Sequence, residues 1–393
     1  MFESKDINAM KPGIMRHLPA IALSCAVLFP CPLRGAELPP SQVVVDMLWH
    51  DRFDELEQLT SALRQEKLEF YAGYSKLSMV YGYLDGPGDQ ADDSVWKQYI
   101  VKLEKWAEAH PQSPTPLVAL ANTYKGWAWK ARGSGYGNTV TKQGRKLFRD
   151  RLDNARRYLN AADRLPTKDP EVYHALIRVA MGLGWPKGEM EAVFNKGVAI
   201  EPNYLQLYHA KAYYLLPRWR GDPGDWEEFA NAAADARGSE DGEILYMTIA
   251  RSQAWSEGDE FFRHTRISYE RMKRGFEASL RRYPNFVSEM NSFCYFACIA
   301  GDRATAKVLF SKIAGRWEKD VWEQKGNFVR WQNWASHNGR APVAAMRGRP
   351  ARAPLTTEQI KSALLITGVV WLGIVAVVVA VVWSIVRNYQ KSK

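Results

Sequence analysis

The sequence predicts an all-α fold in which pairs of helices stack as a repeat, followed by a C-terminal transmembrane helix. Three observations support this: prolines that recur after apolar helical patterns, the near absence of strand patterns, and one long uncharged run near the C-terminus. The chain has 393 residues, 46% of them hydrophobic, which is enough to bury a core without disulfide staples. A mean hydropathy of −0.36 excludes a polytopic membrane protein, and 24% charged residues with 12% aromatics exclude a mostly disordered chain. The net charge of +10 is compatible with anionic partners.

Four prolines mark the repeat. Each follows a pattern with a large residue eight positions upstream and, in three of the four cases, a small residue five positions upstream. The prolines are Pro111, Pro166, Pro202 and Pro284, the large residues are Leu103, Tyr158, Phe194 and Phe276, and the residues five upstream are Trp106, Ala161, Gly197 and Ser279. This pattern is typical of the second helix of a tetratricopeptide repeat. The small residue lets two helices approach, and the proline ends one helix and starts the next.

An amphipathic helix is predicted after each proline, because apolar residues recur there at spacings of three and four. The segments are LVALANTYKGWAW, EVYHALIRVAMGL, NYLQLYHAKAYYLL and NFVSEMNSFCYFACIA. Tyr173-His174-Ala175 and Tyr208-His209-Ala210 recur 35 residues apart, close to the period of about 34 for this repeat. The other intervals between the prolines are irregular. We therefore predict an irregular tetratricopeptide-like domain over residues 37–337, with a generic helical bundle as the alternative.

The C-terminal region predicts a membrane anchor. Leu364–Val386 holds 23 residues without a charge, which is about 35 Å of helix against a hydrocarbon core of about 30 Å. We therefore predict a transmembrane helix over residues 361–387 and a short basic tail over residues 388–393. Residues 338–360 are rich in Arg and Pro and predict a flexible linker between the domain and this helix.

The N-terminal region predicts export. Lys11 and Arg16 precede a short apolar run over residues 18–33 and then small residues, as in a secretory signal peptide. We predict a signal peptide over residues 1–36, with Met15 as an alternative start, and hence an extracytoplasmic, periplasmic domain. The charge flanking the C-terminal helix favours the opposite topology, a cytoplasmic tail-anchored domain. Five basic residues lie on the domain side (Arg340, Arg347, Arg349, Arg352 and Lys361) and three on the tail side (Arg387, Lys391 and Lys393).

Three segments carry a family resemblance: Trp127–Leu152, Tyr214–Phe229 and Tyr269–Pro284. Through its ARGxGY loop and LPRW turn, the chain resembles an uncharacterised bacterial family of tetratricopeptide-like domains of unknown function. The resemblance brackets roughly residues 50–335. It implies an α-helical repeat fold and no established activity.

One candidate binding region is the segment from Lys125 to Arg157, which combines ten basic residues with interleaved aromatics. Charge and stacking of this kind suit a surface that grips an anionic partner. The candidate residues are Arg132, Tyr136, Arg145 and Arg149. Alternatively, the arginines form the solvated face of a helix whose buried side is Leu147, Phe148 and Leu152. An anionic protein or lipid is the favoured ligand class, and nucleic acid is disfavoured for an exported domain.

A second candidate region is the loop LLPRWRGDPGDWEEF, with Trp219, Arg220 and Trp226 as candidate binding residues. Pro217 stops a helix, the glycines permit a turn, and Asp225 is placed to cap the next helix. The two tryptophans either pack on each other beneath the loop or line a peptide groove. Rigid loops with large aromatics often position function.

The sequence motifs HExxH, CxxC, GxSxG and GK[ST], which are typical of metal sites, nucleophilic catalysis and nucleotide binding, are absent. His174 and His209 are predicted to form hydrogen bonds between helices. Cys294 and Cys298 stand four apart, so on a helix their Cβ atoms are about 6 Å apart, beyond the roughly 3.5–4.5 Å that a disulfide requires. Free thiols are therefore predicted.

These patterns together predict a membrane-anchored helical-repeat scaffold that binds a partner protein, with no evident catalysis and no cofactor. Stacked helix pairs present an extended binding surface, on which aromatic and arginine side chains supply most of the affinity. The alternatives are an envelope enzyme whose site is assembled within the helical scaffold, and a cytoplasmic tail-anchored adaptor. The partner's identity and the oligomeric state stay open.

Overall fold

The computed structural model describes residues 38–67, 74–133, 135, 139–254 and 257–337, which form α-helices and no β-strand. The helices are α1 (Ser41–Trp49), α2 (Phe53–Glu66), α3 (Lys76–Tyr83), α4 (Asp93–Ala109), α5 (Pro114–Arg132), α6 (Lys142–Arg164), α7 (Pro170–Leu183), α8 (Lys187–Ile200), α9 (Leu205–Tyr214), α10 (Asp225–Arg237), α11 (Ser239–Ala254), α12 (Phe261–His264), α13 (Tyr269–Arg282), α14 (Val287–Ala300), α15 (Arg303–Ile313), α16 (Lys319–Trp322) and α17 (Lys325–Ser336), with a 3-10 turn at Gly258–Glu260. The all-α prediction is confirmed.

From α5 onward the helices pack in overlapping pairs. Helices α5, α7, α9 and α11 contact one another in chain order. Helices α6, α8 and α10 fill the spaces between them: α6 packs between α5 and α7, α8 between α7 and α9, and α10 between α9 and α11. Farther along the chain, α13 packs against α11 and α14, and α14 packs against α15. This arrangement is consistent with the predicted helical repeat, in which each unit covers the apolar face of the next.

All four predicted prolines lie between two helices. Pro111, Pro166, Pro202 and Pro284 follow the ends of α4, α6, α8 and α13, and the predicted amphipathic segments become α5, α7, α9 and α14. A different proline starts the next helix in two cases: Pro114 and Pro170 occupy the first positions of α5 and α7. Ser113 and Asp169 cap those helices, each accepting a hydrogen bond from a backbone N–H of the first turn.

The small residue of the repeat works as predicted at Gly197. A Cβ added there would lie 2.7 Å from Cδ2 of Leu207 and 2.9 Å from Cβ of Tyr173, so α8 touches both α7 and α9 at this point. Trp106, the large residue at the equivalent position of α4, is fully buried instead. Its ring stacks on Phe53 of α2 at 6.2 Å. The repeat therefore departs from its pattern where the N-terminal helices cover it.

Asp169 joins those N-terminal helices to the stack. Asp169 is 1% exposed. Its Oδ2 accepts hydrogen bonds from Nε of Arg64 in α2 (2.8 Å) and from the hydroxyl of Tyr81 in α3 (2.6 Å). Its Oδ1 accepts from the backbone N of Glu171 (2.9 Å). Because a buried carboxylate is costly unless it is paired and hydrogen-bonded, these bonds hold α2, α3 and α7 together.

Cys294 and Cys298 are buried free thiols on α14, which confirms the prediction made from their spacing. Burial raises the pKa of the Cys298 thiol well above its ordinary value, and its hydrogen bond with Cys294 acts in the same direction. A thiol held protonated in an apolar interior is a poor nucleophile. The pair is therefore part of the core of α14.

Within the part of the chain that the structure describes, no helix combines the length and apolarity needed to cross a bilayer. Four predicted segments lie outside the described residues: the signal peptide (1–36), the linker (338–360), the transmembrane helix (361–387) and the basic tail (388–393).

Replacing Gly197 by leucine should lower the free energy of unfolding by about 3 kcal/mol, because the added side chain has no space between α7 and α9. Gly188→Leu is the matched control: it lies in the same helix, and a Cβ there meets nothing within 4 Å. Urea unfolding followed by circular dichroism measures both. Equal stability of the two variants would contradict the close approach at Gly197.

Candidate binding surface

Helices α7 and α9 are buried on every side but one. Within α7 only His174, Arg178 and the last two residues are partly exposed, and within α9 only His209 and Tyr213 are. These residues stand four apart, so on each helix they occupy a single face. We call the exposed row formed by Lys125 and Trp129 of α5, His174 and Arg178 of α7, and His209 and Tyr213 of α9 the central stripe.

One end of the central stripe is aromatic. The indole of Trp219, in the loop after α9, meets Trp129 edge-on with ring centroids 5.7 Å apart and lies 6.0 Å from the ring of Tyr213. Phe148 of α6 packs edge-on against Trp129 at 4.9 Å. All four side chains are only partly exposed. We call Trp129, Phe148, Tyr213 and Trp219 the aromatic cluster.

Arginines cover the rings of this cluster. The guanidinium of Arg132 lies 5.4 Å from the ring centroid of Trp129 and 6.0 Å from that of Trp219. Arg178 and Arg218 lie 4.7 Å and 5.1 Å from the ring of Tyr213. Cations at such distances are attracted by the ring quadrupole, so the rings hold the guanidinium groups in place.

Arg178 differs from the other arginines that are mostly buried. Among the described residues it has no hydrogen bond and no ion pair, only the ring of Tyr213. By contrast, Arg64, Arg151 and Arg251 each pair with a carboxylate, those of Asp169, Asp93 and Glu289. Burial lowers the pKa of Arg178, and the charge of Asp85, which lies beyond ion-pair distance, offsets this only in part.

The other end of the central stripe is polar. Glu171 is 3% exposed, its Oε1 lies 2.8 Å from Nδ1 of His174, and its Oε2 accepts a hydrogen bond from the hydroxyl of Tyr204 (2.5 Å). Burial alone raises the pKa of Glu171, but the charge and hydrogen bond of His174, the hydrogen bond from Tyr204 and the charge of Lys125 together outweigh it, so the pKa is lowered overall. Lys125 lies 3.7 Å from Oδ1 of Asp85. Glu171 therefore has partners for both oxygens, whereas Oδ1 of Asp85 is buried without a hydrogen bond, and burial raises the pKa of Asp85.

A carboxylate that orients an imidazole is the arrangement of many general bases, and this grouping of Glu, His and Tyr is what the enzyme alternative requires. Glu171 and Tyr204 are buried beneath the partly exposed His174, so the imidazole is the group that a ligand on the stripe would meet. The described residues contain no cluster of three His, Cys, Asp or Glu side chains placed to hold a metal ion.

The predicted histidine hydrogen bonds between helices are wrong. His174 bonds to Glu171 within α7, because residues three apart face one another on a helix. Nε2 of His209 is buried with no hydrogen-bond partner among the described residues, and its ring packs against Tyr74 at 5.6 Å. Burial lowers the pKa of His209 to about 3, so this imidazole is neutral at physiological pH.

The fold brings together Arg132 and Trp219, which come from the two separate regions selected in the sequence. Trp226 lies elsewhere: it is 4% exposed and packs on Phe261 at 6.4 Å. The alternative in which the two tryptophans pack on each other is therefore wrong. Trp226 belongs to the core, whereas Trp219 belongs to the aromatic cluster.

The remaining predicted residues lie at the edge of this surface, except for one that falls outside the described residues. Arg145 and Arg149 are exposed on α6 while Leu152 is buried, as the solvated-face interpretation predicts. Arg220 is exposed, and its guanidinium lies against Gly184 at the end of α7. Tyr136 lies outside the described residues.

The predicted cap of α10 is displaced by one residue. Gly224, with a φ of +103°, is the N-cap, and Asp225 is the first helical residue. The Asp225 carboxylate accepts hydrogen bonds from the backbone N of Asp222 (2.9 Å) and from Nζ of Lys187 (2.7 Å). Glycine takes the cap position because this φ disfavours residues with a side chain.

Sequence reasoning missed Arg178, Tyr213 and Trp129. A usable signal was present, because Arg178 and Tyr213 each stand four residues after the histidine of a Tyr-His-Ala repeat. Extending that repeat by one helical turn would have placed both on the face that carries the histidines.

Comparison with known proteins adds no family to this description. No protein-family model matches the chain, and no curated protein matches it either.

Exchanging Arg178 for methionine should leave the free energy of unfolding within about 1 kcal/mol of wild type, because methionine keeps the aliphatic packing and removes an uncompensated charge. Arg251→Met is the matched control. It should lower the free energy of unfolding by about 3–5 kcal/mol, since it leaves Glu289, 1% exposed, without its partner. Urea unfolding of both variants tests the contrast, and a large loss at Arg178 would contradict it.

Proposed function

We propose that this chain is a helical-repeat scaffold that binds a partner protein across the central stripe and the aromatic cluster. The observation that carries the proposal is the exposure pattern of α7 and α9, which are buried except for one row of charged and aromatic side chains. We also propose that the domain belongs with the tetratricopeptide-like domains that it resembles.

The composition of this surface supports protein docking. Tryptophan, tyrosine and arginine are the residues that contribute most binding free energy at protein interfaces, and Trp129, Trp219, Tyr213 and Arg132 lie within one cluster. Their mutual packing restricts the rotamers before a partner arrives. Less side-chain entropy is then lost on binding, which favours affinity.

We further propose that the scaffold is held at a bacterial cell membrane by the uncharged run Leu364–Val386, with the domain on the periplasmic side. The apolar length of this run and the signal-like N-terminal segment support this topology. The arginines that precede the run support the alternative, a cytoplasmic adaptor with a C-terminal tail anchor.

Replacing Trp219 and Arg132 together by alanine should abolish capture of the partner, because it removes one anchor ring and the cation above two rings of the aromatic cluster. Affinity-tagged wild-type and variant chains are compared for captured proteins after reversible crosslinking in cells. A protein retained by the wild type and lost from the variant is the expected result.

The matched control is Arg281→Ala with Val308→Ala, which removes one charged and one apolar side chain exposed on α13 and α15. This control should capture the same protein as the wild type. Equal capture by all three chains, with unchanged circular dichroism, would contradict docking at the aromatic cluster.

Protease treatment of intact spheroplasts should digest the domain and spare the C-terminal tail, because the proposed topology leaves only the tail inside. Epitope tags after residue 37 and at the C-terminus report the fate of each end. A domain protected until lysis would support the tail-anchored adaptor instead.

A further inference from the structure

We propose that the segment docked on the central stripe is an acidic peptide of the partner protein, and that one of its carboxylates pairs with the guanidinium of Arg178. This inference rests on the proposed docking function and adds the chemistry of the partner. Its consequence is that recognition depends on a local negative charge placed beside apolar side chains.

The distribution of ion pairs supports an acidic partner. Among the described residues, no ion pair forms at Arg132, Arg178 or Arg220, which lie in or beside the aromatic cluster. The arginines of α13 give the contrast, since every one of them pairs with a carboxylate of α10 or α11. These pairs are Arg271 with Asp235 and Glu243, Arg274 with Glu243, Arg281 with Glu240, and Arg282 with Asp241. Arginines without an ion pair also occur elsewhere among the described residues, Arg164 and Arg330 for example, but three of them border the aromatic cluster and can pair with one bound segment.

Arg178 is the most demanding of these three arginines because it lies on a helix that is otherwise buried. Its charge is partly desolvated, and Asp85 acts on it only from beyond ion-pair distance, so a bound carboxylate would supply a direct partner. The Tyr213 ring, 4.7 Å away, holds the planar guanidinium in place. A guanidinium fixed in this way can donate two parallel hydrogen bonds to one carboxylate at little further cost in entropy.

The polar end of the central stripe argues against a continuous polyanion. Glu171 precedes Arg178 by two helical turns on α7, and its negative charge would repel a chain of phosphates laid along the stripe. A flat anionic membrane surface also fits poorly, because Arg178 lies in a row one residue wide, with its guanidinium against the partly buried ring of Tyr213. A peptide that alternates acidic and apolar side chains can place a carboxylate beside the arginines and an uncharged side chain beside Glu171.

The inference is tested with a displayed library of random peptides selected on the purified full-length chain in detergent. The enriched peptides should carry Asp or Glu beside an aliphatic or aromatic residue. For one synthetic peptide, Arg178→Gln should weaken binding by at least about tenfold, since it removes one partner of a partly buried charged pair. Arg178→Lys should restore part of this loss, because lysine keeps the charge but not the two-pronged geometry.

Arg164→Gln is the matched control. Arg164 is exposed at the end of α6, so its loss should change affinity by less than about twofold at physiological salt. A double-mutant cycle sharpens the assignment: changing the peptide's acidic residue to its amide should weaken binding to the wild type and have little effect on Arg178→Gln.

The outcomes separate this inference from the docking proposal. Peptides that bind in a Trp219-dependent way but are neutral or basic, or that ignore Arg178→Gln, would overturn the acidic partner and leave docking intact. A selection that yields no Trp219-dependent peptide would contradict docking itself. Arg178-dependent binding of phosphatidylglycerol vesicles or single-stranded RNA in preference to every peptide would overturn a protein ligand. Circular dichroism of each variant excludes unfolding as the cause of a loss.

Discussion

Burial of the central helices is the constraint from which the surface of this domain follows. Helix α7 packs against α5, α6, α8 and α9, and α9 packs against α7, α8, α10 and α11. A helix enclosed in this way keeps one narrow exposed face, and residues four positions apart in the sequence lie on that face. Polar side chains on that face keep contact with water, so they avoid the free-energy cost of burying a polar group that has no partner. The stack thereby gathers residues from distant parts of the chain into one row.

The loop after α9 completes this surface because it folds back tightly. A Cβ added to Gly221 would lie 1.7 Å from the carbonyl oxygen of Leu215, so the chain reverses within a few residues of the helix end. This reversal carries Trp219 over Trp129 of α5, more than one helix away. The need for a residue without a side chain at position 221 thus determines that Trp219 packs against α5.

Much of the helical framework was predictable because its determinants are local. Proline positions, the apolar spacing and Gly197 each act within a few residues of their own helix, and all are found as expected. The surface was less predictable. Whether Trp219 or Trp226 enters the core depends on the helix that packs above it, and the sequence around the two residues does not encode that neighbour.

The same limit applies to individual residues of the surface. Arg145 and Arg149 were selected as candidate binding residues because they lie in a dense run of basic residues, and the structure places both on the exposed side of α6. Arg178 is isolated in sequence, and what distinguishes it is that its mostly buried guanidinium forms no ion pair among the described residues. Composition measures how many charges a segment holds. Packing decides which of them lack a partner.

The bonds at Asp169 have a consequence for the order in which the domain folds. Arg64 and Asp169 are 105 residues apart in the chain, and Tyr81 and Asp169 are 88 apart. Closing such long loops early in folding costs chain entropy, and contacts with a surface that has already formed are needed to offset this cost. We therefore expect the α5–α9 stack to nucleate from its short-range pairs, and α2 and α3 to dock afterwards as the last and most readily reopened unit.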